Sequence, residues 1–80
     1  MSNNEKLIGI FAEQLDLNPE DVTDQLSPKN CGQWDSVKNL LLLADIETNF
    51  NISLDFQDLD KMDNFGNVKE ILSSIYGISF

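Results

Sequence analysis

The sequence predicts an all-α fold: a bundle of three longer helices plus one short helix, with a long loop between helices one and two. Three observations predict it. Apolar residues recur at three- and four-residue spacing in three separate segments, and no stretch keeps the alternation of a strand. Serine or asparagine stands near the head of each apolar run, where helix starts need a polar oxygen. Eighty residues make a single domain, 1–80, whose core is small enough to depend on well-packed helices.

Ser2-Asn3-Asn4-Glu5 has the spacing of a capping box. Leu7, Ile8, Phe11, Ala12 and Leu15 follow at helical spacing, so a first amphipathic helix is expected over about residues 4–16. Asn18-Pro19-Glu20-Asp21 can open a short helical turn, with Asn18 as cap and Pro19 in the first position. No period persists from Thr23 to Trp34. Ser27-Pro28-Lys29-Asn30 and Gly32 mark a loop there, which Leu26, Cys31 and Trp34 would anchor to the core.

A second helix is expected from Ser36 to Asn51. Its buried stripe would be Val37, Leu40, Leu43, Ile46 and Phe50, with Lys38, Asp45 and Thr48 outside. Asn49-Phe50-Asn51 closes it, asparagine tolerating turn conformations, and Ile52 and Leu54 anchor the connection that follows. Phe56 to Lys61 has the length of a short third helix, turning Leu59 and Met62 inward. Asn67 with Glu70 repeats the cap-and-box spacing ahead of Val68, Ile71, Leu72 and Ile75, and Gly77 is placed to end this last helix.

Fourteen acids against five lysines give a net charge of −9, with no histidine. Nucleic acid and anionic lipid surfaces both require cationic neutralisation, so neither is an expected partner. Proteins with basic patches are, although acid excess also serves plain solubility. The apolar run Leu40 to Ala44 is far too short to cross a bilayer, and no basic segment followed by an apolar one opens the chain. The single Cys31 excludes an internal disulfide and suits a reducing compartment. A cytoplasmic monomer without membrane insertion is the expectation.

Without histidine there is no Ser-His-Asp triad, histidine zinc site or thiol–imidazole pair, and no phosphate-binding Walker loop is present. Cys31 reads as a small buried hydrophobe rather than a reactive thiol. Asp55, Asp58, Asp60 and Asp63 lack the central glycine and terminal glutamate of a calcium loop and have Phe56, Leu59 and Met62 among them. The solvated face of a short helix is the better account of these acids.

Ser36 remains. A serine at a helix start is by itself a cap, but unpaired N–H groups and the positive dipole end also favour a phosphate there. Asp35-Ser36-Val37 followed by Leu40, Leu43, Ile46 and Phe50 resembles the acyl carrier protein family, whose signature is Asp-Ser-Leu/Ile/Val heading helix two. Leu15 through Val22-Thr23, the Glu47…Phe50…Ile52 helix end, and Met62…Phe65-Gly66-Asn67-Val68…Ile71 also fall at that family's spacings. The resemblance spans nearly the whole chain.

The resemblance implies a carrier, not an enzyme. Ser36 would receive 4′-phosphopantetheine from coenzyme A through a phosphopantetheinyl transferase, and the arm's thiol would hold an acyl intermediate as a thioester. Partners implied are an acyl-loading ligase or acyltransferase and a ketosynthase or other thioester-using enzyme. Asp35 either shares in capping or contacts the transferase; Val37, Lys38, Leu41 and Glu47 are the other candidates for partner recognition. Leu43, Ile46, Met62, Val68 and Ile71 would line a core that either stays closed or opens around an acyl chain.

This chain departs from the family pattern in two places. The family usually has glycine three residues before the modified serine, where this chain has Gln33, with Gly32 one earlier. The approach to Ser36 must therefore turn differently, with Trp34 packed beneath it. Fatty-acid carriers often line the exposed face of helix two with acids, where Lys38 and Leu41 stand here. A specialised carrier of a lipid, polyketide or related biosynthetic pathway is the expectation. An aminoacyl or peptidyl carrier, or an unmodified protein-interaction module kept open by Gln33, are the alternatives.

Overall fold

The computed structural model describes residues 2–55 and 63–80. Its regular structure is α1 (Asn3–Leu15), a 3-10 turn (Pro19–Asp21), α2 (Ser36–Phe50) and α3 (Phe65–Ser74), with no strand among the described residues. The expected short helix over Phe56–Lys61, with Leu59 and Met62, lies outside them.

Ser2 caps α1 as its spacing predicts: its Oγ accepts the Glu5 N–H at 3.1 Å and donates to the Glu5 carboxylate at 3.2 Å. Leu7, Phe11 and Leu15 form the buried stripe with Ile10 and Ala12 beside it. Asp16 closes the helix in the left-handed region (φ 56°), and the Leu17 N–H returns to the Ala12 carbonyl at 2.9 Å. Pro19 opens the 3-10 turn; Asn18 stands at its cap position without a side-chain hydrogen bond.

Residues 22–35 form the connection to α2, and Leu26, Cys31 and Trp34 bury their side chains as expected. Asn30 clips this loop, accepting the Ser27 N–H and donating to the Gln25 carbonyl. The loop also receives α3: the N–H groups of Phe65 and Gly66 donate to the carbonyls of Leu26 and Asp24 at 2.8 and 3.1 Å. This is why α3 begins three residues earlier than Asn67 suggested. Asn64 is the cap, its side chain accepting the Asn67 N–H at 2.7 Å, and the earlier start carries Phe65 into the core.

Helix α2 corrects the expected stripe. Its buried residues are Leu42, Leu43 and Ile46, with Phe50 half-buried, whereas Val37 and Leu40 are 65% and 64% exposed. The run Leu40–Ala44 is apolar all round the helix, so its period alone could not choose a face. Cross-links to α1 choose it instead: Gln14 donates to Asp45 at 2.6 Å, and Lys6 Nζ donates to the Asn49 carbonyl. Asn51 ends α2 in the left-handed region (φ 55°), as its type predicted, and Ile52 and Leu54 pack against the core.

The loop and two of the helices meet around an aromatic line. Phe11 stands edge-on to Trp34 at 5.2 Å and to Phe65 at 4.8 Å, joining the loop, α1 and α3 through one ring. Each such pair contributes about 0.5–1.5 kcal/mol beyond its area burial. The chain end folds over the open side, with Phe80 against Phe50 and the Tyr76 hydroxyl accepting the Asp55 N–H at 2.9 Å.

Candidate functional site

The site is built where the loop enters α2. Trp34 is 3% exposed, and its indole N–H donates to the Asn39 side-chain oxygen at 3.0 Å. That bond pins the end of the loop to the second turn of the helix. Between them the chain passes Asp35 and Ser36, both exposed. Trp34 therefore does pack beneath the approach.

Asp35, not Ser36, caps α2: its Oδ1 accepts the Lys38 N–H at 2.9 Å, and its carbonyl accepts the Asn39 N–H at 2.8 Å. Ser36 is the first residue of the helix. The distinction matters, because a cap hydroxyl is engaged with the backbone and a first-position hydroxyl is not. Ser36 Oγ has no hydrogen-bond partner among the described residues, nor do the N–H groups of Ser36 and Val37. In α3 the first-turn N–H groups are all taken by Leu26, Asp24 and Asn64.

Gln33 is exposed, accepting from the Cys31 thiol at 3.6 Å, and the Trp34 N–H closes a turn onto the Cys31 carbonyl at 3.1 Å. Neither Gly32 nor Gln33 has a positive φ. The turn before Ser36 thus has no need of glycine's left-handed freedom, which is why glutamine fits.

Asp35 precedes Ser36 at the cap, and Val37, Lys38 and Leu41 follow it along the first two turns of α2 rather than facing it as one cluster, Lys38 half-buried and Leu41 44% exposed. Val37, Leu40, Leu41 and Ala44 make one exposed apolar strip at i, i+3, i+4 and i+7. Glu47 stands apart, eleven residues or about 16 Å further along the axis. Its carboxylate accepts the Leu54 N–H at 2.8 Å, tying α2 to the following segment. Leu43 and Ile46 of α2 share the core with Val68 and Ile71 of α3; Met62 lies outside the described residues.

Asn39 was missed by the sequence reading. Its sign was its place one turn after Ser36 and five residues after the only indole, a pairing that periodicity does not weigh. No cluster of three metal-ligating side chains exists among the described residues; Asp58 and Asp60 lie outside them. What the arrangement can do is present a hydroxyl. Ser36 has room at its oxygen, an open groove shared with Pro28, Trp34, Asp35 and Asn39, and unpaired N–H groups behind it. Those features fit an ester-linked phosphate, which the helix start favours by about 0.3–1 kcal/mol. The chain has no histidine to serve as a base for this serine.

A family model described as the phosphopantetheine attachment site matches residues 5–75, the span from the first turn of α1 to just past the end of α3. Domains of that family bind 4′-phosphopantetheine covalently and carry cargo for other proteins. With nearly all of the chain matched and a free serine heading α2, this protein belongs to the phosphopantetheine-attachment family of carrier proteins.

Proposed function

We propose that the chain is a single-domain acyl carrier protein whose Ser36 bears the 4′-phosphopantetheine arm. The observation that carries this is the uncommitted, exposed hydroxyl at the first position of α2, freed by the Asp35 cap. In the attachment step the Ser36 Oγ–P bond forms as the pyrophosphate bond of coenzyme A breaks. The adenosine bisphosphate half leaves, and the hydroxyl proton passes to a base on the transferase. The arm's thiol then holds an acyl group as a thioester.

The chain's own part is location and recognition. Asp35, Val37, Lys38 and Leu41 frame Ser36 for the transferase, for a loading ligase or acyltransferase, and for a ketosynthase or similar enzyme; Glu47 completes that face further along. An apolar strip with one lysine, in place of a run of acids, favours a specialised biosynthetic pathway over general fatty-acid synthesis. Leu43, Ile46, Val68 and Ile71 form the part of the core that would open around an acyl chain, each buried methylene contributing about 0.8 kcal/mol. The protein acts as a cytoplasmic monomer and performs no chemistry of its own.

Intact-mass measurement after incubation with coenzyme A and a broad-specificity transferase tests this. Gain of one phosphopantetheine by the native chain, and none by Ser36→Ala, is the expected result. No gain with several transferases would replace the carrier by an unmodified interaction module. Mass analysis of the loaded arm from the native cell distinguishes acyl from aminoacyl cargo.

A further inference from the structure

Attachment at Ser36 leaves one rigid polar group beside it unused, the side-chain amide of Asn39. The Trp34 indole N–H donates to Asn39 Oδ1 at 3.0 Å. An indole nitrogen can only donate, so the oxygen must face it and the orientation of the amide is settled by chemistry. The NH2 group therefore faces away from Trp34, with two donor protons and no acceptor among the described residues.

Two further facts place that donor. Asn39 follows Ser36 at the i, i+3 spacing that sets two side chains on one helix face. Both line the same groove, whose other walls are Pro28, Trp34 and Asp35. Trp34 is itself buried edge-on against Phe11, so the amide is anchored to the core and cannot swing freely.

We propose that Asn39 is a binding residue for the arm, its Nδ2–H2 donating to a non-bridging oxygen of the phosphodiester that joins Ser36 to pantetheine. The inference rests on Ser36 being the attachment point. The ligand is a singly charged phosphodiester, matched by a neutral donor that leaves the charge in place. The contact draws the first bonds of the arm into the groove beside Pro28, on the loop side of α2. The strip of Val37, Leu40 and Leu41 is then left clear for a partner.

The test uses isotope-labelled chain converted with coenzyme A and a transferase, with conversion read by intact mass. On conversion, the Asn39 side-chain N–H2 resonances should move and exchange more slowly with solvent, while the Trp34 indole N–H keeps its hydrogen bond to Asn39 Oδ1. In Asn39→Asp an oxygen still accepts the Trp34 N–H but the donor is gone. The phosphorus resonance of its arm should shift towards that of the same converted chain in urea. Unmoved Asn39 N–H2 resonances in fully converted wild type overturn the contact and leave attachment at Ser36 standing. This comparison decides the matter even where Asn39→Asp does not fold. Absence of any mass gain in wild type overturns attachment, and the contact with it.

Discussion

The carboxylate of Asp35 accepts the Lys38 N–H at 2.9 Å, one residue before Ser36, so the cap of α2 and its modifiable hydroxyl are adjacent but separate groups. Asparagine caps about as well as aspartate, and alanine does not. Asp35→Asn should keep stability, whereas Asp35→Ala should lose about 0.5–2 kcal/mol in urea unfolding. Ser36→Ala should change stability by less than about 0.5 kcal/mol while abolishing attachment. A large loss in Ser36→Ala would return the cap to serine.

The same separation isolates charge from capping. If Asp35 is also read by the transferase, Asp35→Asn will be modified more slowly at unchanged stability, and Asp35→Lys more slowly still. Equal transfer rates in wild type and Asp35→Asn, followed by intact mass, would confine Asp35 to the helix.

Gly66 and Gly9 should respond oppositely to alanine. A Cβ on Gly66 would lie 3.2 Å from both the Asp24 carbonyl oxygen and Asp24 Cβ, where α3 docks on the loop. Gly66→Ala should therefore destabilise by about 1–3 kcal/mol, as overpacking does. A Cβ on Gly9 meets nothing within 4 Å on the exposed side of α1. Gly9→Ala should stabilise by about 0.5–1 kcal/mol. Thermal unfolding of the two variants side by side checks both signs.

Gln33→Gly restores the family's residue without restoring a need for it, because the backbone there never enters the left-handed region. The variant should be less stable by about 0.4–1 kcal/mol through added freedom in the unfolded chain. Its rate of phosphopantetheine transfer should match wild type. Faster transfer would mean that the glycine serves the transferase rather than the turn.

Leu41→Glu replaces one exposed apolar side chain with an acid, so unfolding should move by no more than about 0.5 kcal/mol. Cargo loading by the protein's own ligase or acyltransferase should fall, with KM rising more than kcat falls, since the change touches docking and not the thioester chemistry. Unchanged loading kinetics would take Leu41 out of the interface.

Helix existence was legible because Leu7, Phe11 and Leu15, or Val68, Ile71 and Leu72, recur on one face at three- and four-residue spacing. The face of α2 was not, because five consecutive apolar residues circle it and the contacts that orient it, among them Gln14–Asp45 and Lys6–Asn49, come from other parts of the chain. The start of α3 was set too late by the box spacing of Asn67 with Glu70, whereas the cap is Asn64. Gly66, between the two, is the place where the helix passes close to Asp24. Ser36 stood out through its neighbours in sequence, while Asn39 needed a hydrogen bond that only the folded loop makes.

The burial of Trp34 has an optical consequence. It is the chain's one tryptophan, so excitation at the red edge of protein absorption selects a single fluorophore two residues from Ser36. Its emission reports one dry environment, set by the Phe11 ring on one side and the Asn39 oxygen on the indole nitrogen. Water reaching that ring on unfolding shifts the emission to longer wavelength, and an arm entering the groove changes its quenching. The native chain thus carries its own unlabelled indicator, placed where loading and global unfolding can be timed on the same sample.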